Sequence, residues 1–171
     1  MGLSWLNGVP EPVKSILIGA AGEFAGSITA GIVTRVLAAA GHQVRKRFQA
    51  EPRTKALNQA VARALLDTVS DLTDAPELQT HYLRLFELWI ARDAVAGELS
   101  QLIDPRRESH LDMKLLRKEF EAIGCDADWL GEGFDFDRVI KRLVQSFCDA
   151  AASEPELQGV IAIAELRAVR E

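Results

Sequence analysis

This sequence lacks most of what a catalytic or metal-binding protein requires. Its two cysteines, Cys125 and Cys148, have no C-x-x-C spacing and read as reduced core thiols. Its three histidines, His42, His81 and His110, are scattered, with no H-x-x-x-H or H-E-x-x-H pair, so a zinc site has no ligand set. Ser109-His110 has no G-x-S-x-G setting, and no G-x-x-x-x-G-K-[ST] loop exists to cradle nucleotide phosphates. No catalytic residue, metal ligand or cofactor site is therefore expected.

Positive charge is not in excess either. Twenty basic residues against 25 acidic ones give a net charge of −5, which removes any global electrostatic case for nucleic acid. The first residues, MGLSWLNGVPEP, have neither the basic start nor the small-residue cleavage site of a signal peptide. Trp5 and Leu6 are expected to anchor one end of a bundle, and a cytoplasmic setting follows from the reduced thiols. Long uncharged runs are also missing. The most apolar stretch, Pro12–Gly41, is interrupted by Lys14, Glu23 and Arg35, and its longest charge-free run is Phe24 to Thr34. A membrane-spanning helix needs about 20 mostly apolar residues in a row.

What is present is helical periodicity. In Pro12–Gly41, Val13, Leu17, Ala20, Phe24, Ile28, Ile32 and Val36 recur at spacings of three and four. Gly19, Gly22, Gly26 and Gly31 lie among them and predict close helix–helix approach, because a helical glycine costs about 1 kcal/mol relative to alanine. The stretch reads as the central helix of an all-α bundle of about six helices, enclosed by its neighbours. Glu23 is expected to lie at an edge or pair with an arginine such as Arg35.

Further helices come in order along the chain. Residues 52–72 carry the stripe Ala56, Leu57, Ala60, Val61, Ala64, Leu65, Thr68, Val69 and Leu72. Asp74-Ala-Pro-Glu77 reads as a capping box opening a long helix over 76–103, with a kink expected near Gly97. Residues 106–124 form the next, with Leu111, Leu115, Leu116, Phe120 and Ile123 inward and Gly124 as C-cap. The loop 126–137 has Asp126, Asp128, Gly131 and Asp137 in the frame of a calcium-binding EF-hand. Leu130 and Asp137 stand where ligands, the last a bidentate Glu, are required, so a capped loop is the better reading. Asp137 or Asp135 then caps a helix through Val139, Ile140, Leu143, Val144, Phe147 and Cys148. Ser153-Glu-Pro-Glu156 reads as a second capping box, opening a last helix. The helix ELRAVRE at 165–171 has no stop signal, which suggests the N-terminal part of a longer multidomain protein, with 1–171 a single domain.

One patch carries concentrated charge. Arg45, Lys46 and Arg47 come after the first helix, and Arg53 and Lys55 open the next. Cations at a helix C-terminus favour its dipole by about 0.3–1 kcal/mol each. Five at one corner predict instead a contact surface for anionic lipid, nucleotide or an acidic partner domain, the partner domain being preferred because capping rarely needs five charges.

The segment FDFDRVIKRLVQSFCDAAASEPELQGVIAIAELR, at 134–167, resembles the N-terminal helical regions that precede the NTPase module in bacterial NACHT-type proteins of the STAND class. The Gly/Ala-rich opening helix and its R-K-R-F turn are similar in layout. The resemblance implies a cytosolic immune or signalling NTPase whose ATP-binding loop lies beyond residue 171. It also implies that this part is a non-enzymatic adaptor or effector that contacts the NTPase module or self-associates. The alternative is a membrane-perturbing effector whose helix 12–41 inserts or oligomerises on activation.

Overall fold

The computed structural model describes residues 21–104, 110–123 and 134–158, with the backbone path alone for 21–27 and for residue 76. Seven α-helices are described: α1 (Ala21–Ala40), α2 (His42–Arg47), α3 (Glu51–Leu72), α4 (Pro76–Ile90), α5 (Asp93–Leu99), α6 (Met113–Ala122) and α7 (Phe136–Ala152). Single 3-10 turns at Ser100–Ile103 and Pro155–Leu157 extend α5 and succeed α7. No strand occurs among the described residues, so the all-α expectation holds.

The most extensive interface joins α3 to α7. On α3 the predicted stripe is inward: Ala56, Leu57, Ala60, Ala64, Leu65, Thr68 and Val69 are buried. On α7, Val139, Ile140, Leu143, Val144, Phe147 and Cys148 are buried as the periodicity requires. The Thr68 hydroxyl satisfies itself locally by donating to the Ala64 carbonyl at 2.7 Å. An ion pair, Arg142 Nε to Asp71 Oδ2 at 2.6 Å, closes one end of the seam.

Helix α1 touches α2, α3, α4, α5 and the first 3-10 turn, the widest reach in the bundle. It is not enclosed, however. Ile28, Thr29, Ile32 and Val33 are buried, whereas Ala30, Gly31, Thr34, Ala38 and Ala39 are exposed. The all-round apolar pattern misled here because small side chains bring little apolar area to the surface, so they tolerate a solvent-facing side. No helix among the described residues is long and apolar enough to cross a membrane.

The long helix expected over 76–103 is three pieces. It breaks at Ala91–Arg92, and Gly97 lies inside α5, which passes into the 3-10 turn at Ser100. Arg92 takes an extended backbone (φ −75°, ψ 129°) as the N-cap of α5, and its side chain pairs with Glu119 of α6. Arg35 of α1 donates to the Ala91 carbonyl at 2.9 Å, so tertiary partners hold the break that local sequence does not announce. Both predicted capping boxes are also replaced. At α4 the N-cap is Ala75; Thr73 Oγ1 accepts from the Ala75 N–H, and Gln79 Nε2 reaches back to the Thr73 carbonyl at 2.8 Å. Ser153 ends α7 by donating to the Ala150 carbonyl, and the chain then enters the 3-10 turn, where Leu157 is fully buried. The remainder of the expected last helix, beyond residue 158, lies outside the described residues.

Helix α6 begins at Met113, later than expected, because Asp112 caps it: its Oδ1 accepts from the Leu115 N–H at 3.1 Å. Gly124 and the calcium-like frame up to 133 lie outside the described residues. Asp135, not Asp137, caps α7 by accepting from the Arg138 N–H at 3.3 Å. Between α4, α6 and α7 an aromatic cluster forms around Trp89, which meets Phe120 and Phe136 edge-on at 5.9 Å each. Its indole N–H donates to the Leu116 carbonyl at 3.0 Å, so a fully buried tryptophan keeps its polar handle satisfied.

Candidate functional site

The basic corner is built by a reversal that only glycine makes easily. Gly41 has φ 91° and ψ 171°, a region closed to L side chains, and it turns the chain from α1 into α2. The Gly41 carbonyl then accepts from the Arg45 N–H at 3.0 Å, the first bond of the short helix. Val44 (0% exposed) and Phe48 (2%) plug the core, so the remaining face of HQVRKR must point outward. Arg45 and Lys46 are exposed and Arg47 is half-buried.

Helix α3 returns along this turn. Arg53 Nη1 donates to the Arg47 carbonyl at 3.0 Å, and the Thr54 hydroxyl donates to the Phe48 carbonyl. Two carbonyls left over at the end of α2 are thus satisfied by side chains of α3. The structure therefore joins Arg53 to the Arg45-Lys46-Arg47 turn and places Lys55, also exposed, one turn into α3. Among the described residues Arg45 and Lys46 make no ion pair. Glu51, exposed at the start of α3, is the single acidic residue between positions 24 and 55.

The glycine sites fare differently. Gly31 is exposed, and a Cβ built on it would meet nothing within 4 Å, so no helix among the described residues packs closely against it. That corrects the expectation of close approach at Gly31. Its cause is the one-sided burial of α1. Gly22 and Gly26 lie on the described backbone of α1, whereas their surroundings, Gly19 and the Glu23 side chain lie outside what is described. Arg35 is committed to the Ala91 carbonyl.

Other charged groups serve the seams between helices. Burial pushes the Asp67 carboxyl above its ordinary 3.8, against the opposing pull of Arg63 and Arg142. Burial likewise raises Glu154 from 4.5, with Arg63 opposing and Glu156 adding to the shift. Arg117 donates to Asp137 at 2.5 Å and lies over the Phe136 ring; the hydrogen bond to Asp137 holds its proton more tightly. A cavity of about 70 Å³ lies where α1, α3, α5 and α7 meet, lined by aliphatic and aromatic side chains including Ile32, Leu65, Leu99 and Phe147. Among the described residues no cluster of His, Cys, Asp or Glu could hold a metal ion.

Sequence reading missed the carbonyl clamps by Arg35 and Arg53. An arginine isolated in an apolar or turn setting is a signal for them, but its acceptor is a backbone group and leaves no trace in the sequence. The model of one protein family, NACHT N-terminal Helical domain 2, matches residues 21–171. No curated protein and no solved structure matches the chain.

Proposed function

The chain belongs to the NACHT N-terminal Helical domain 2 family, and from that premise we propose that it is a non-enzymatic interaction domain regulating a NACHT-type NTPase module. The family match, spanning residues 21–171, is the observation that carries the reading. The module belongs to the same polypeptide, and the setting is cytoplasmic signalling of bacterial immune type. The chemistry of the bundle is consistent with this role. Several of its polar and charged side chains serve caps, carbonyl clamps and inter-helix ion pairs, while Arg45 and Lys46 face outward at one corner. Such a domain acts by contact, holding the NTPase module in one state and releasing it on a signal, which requires a binding energy that differs between the two states.

The test is ATP hydrolysis by the full polypeptide with and without residues 21–171. Loss of a regulatory contact changes the basal rate several-fold, and re-addition of the domain in trans restores it. An unchanged rate in all three preparations would overturn the proposal.

A further inference from the structure

We propose that the basic corner formed by α2 and the start of α3 is a docking site for an acidic protein surface. The inference rests on the reading that this domain works by contact, and it names the chemistry of the partner. Residues 24–50 hold Arg35, Arg45, Lys46 and Arg47 and no acidic residue, in a chain whose net charge is −5. Arg35 is spent on a carbonyl, so the free charge concentrates at the corner.

The corner is rigid. Val44 and Phe48 anchor it from below, and Arg53 and Thr54 tie its backbone to α3. A backbone already held in place need not be ordered on meeting a partner, so only the side chains of Arg45 and Lys46 lose freedom there. Helix-end stabilisation is supplied by the two backbone clamps, and neither Arg45 nor Lys46 takes part in them. Their position is therefore left for an external group.

Two other classes of partner fit less well. A nucleic-acid strand is gripped by cations interleaved with exposed aromatic rings. The aromatic residue here, Phe48, is 2% exposed and faces the core. A membrane-surface helix needs large apolar side chains on the outside to enter the lipid. Here Val44 points inward, and the exposed side chains of α1 nearest the corner are Arg35, Ala38 and Ala39. An acidic protein surface needs only complementary charge and a firm scaffold.

The probes are poly-L-glutamate and phosphatidylserine vesicles, titrated against the chain and against its Arg45→Gln/Lys46→Gln variant. The expected result is binding of poly-L-glutamate that weakens with salt and falls about tenfold in the variant, with vesicles bound more weakly. Both side chains are exposed and unpaired, so the variant keeps its thermal midpoint, which a melt verifies. Equal poly-L-glutamate binding by both proteins, or preferential binding of vesicles, overturns the inference. Tighter binding of poly-L-glutamate by the wild type, in a chain that leaves NACHT hydrolysis unaffected, would retain this site and remove the regulatory reading.

Discussion

Arg35 and Ala91 are 56 residues apart in the chain, and the guanidinium of one donates to the carbonyl of the other at 2.9 Å. That bond fastens α1 to the point where α4 gives way to α5. Arg35→Ala removes a charge-assisted bond at an exposed site, with an expected loss of about 1 kcal/mol in urea unfolding. Amide exchange should accelerate at residues 91–96, where the Ala96 N–H bonds to the Arg92 carbonyl. Unchanged exchange there would show that the break is held by Arg92–Glu119 alone.

Trp89 is the second focus. Trp89→Phe removes the donor to the Leu116 carbonyl and part of the edge-on contact with Phe120 and Phe136. A lost buried hydrogen bond together with a partial cavity costs about 2–4 kcal/mol. Denaturant titration followed by circular dichroism measures it, and a loss below about 1 kcal/mol would contradict the packing described.

The glycines separate by conformation. Gly41→Ala should destabilise by about 1–3 kcal/mol although open space surrounds it, since φ 91° is strained for any L side chain. Gly31→Ala and Gly97→Ala, in helices with nothing within 4 Å of the new Cβ, should each stabilise by about 0.5–1 kcal/mol. Thermal melts of the three variants decide the matter, and the opposite sign at Gly31 would restore a close helix contact there.

The raised carboxyls set a pH dependence. A carboxyl whose folded-state pKa lies above its unfolded value favours folding most when protonated. Its contribution is full below the unfolded value and is lost as pH rises through the folded value. Asp67, raised from 3.8, and Glu154, raised from 4.5, both act in this direction. Asp67→Asn should therefore equal or exceed the wild type in stability at pH 7, with the difference vanishing below pH 3.8. A variant less stable at pH 7 would mean that attraction to Arg63 and Arg142 outweighs burial.

The helical class and the inward faces of α3 and α7 were legible in the sequence because a stripe at spacings of three and four survives whatever packs on it. Ala60, Leu65 and Val69 on one side and Ile140, Leu143 and Phe147 on the other met as the pattern requires. Helix ends were less legible. Thr73, Gln79 and Ser153 offer several local hydrogen bonds, and the capping-box wording of D-A-P-E and S-E-P-E does not say which of them forms. The break at Ala91 was invisible, since it depends on Arg35 and Glu119, each distant in the chain. The basic corner was visible as composition, but its rigidity came only with Gly41, Val44 and Phe48 in place.

The most direct test of the account is a calorimetric titration of residues 1–171 into the NACHT module proposed to share its polypeptide, at low and high salt. The account predicts saturable binding that weakens as salt rises, and weaker binding with the Arg45→Gln/Lys46→Gln variant. No heat of binding at any salt concentration, with both partners folded, would contradict the claim that this bundle regulates the NTPase by contact.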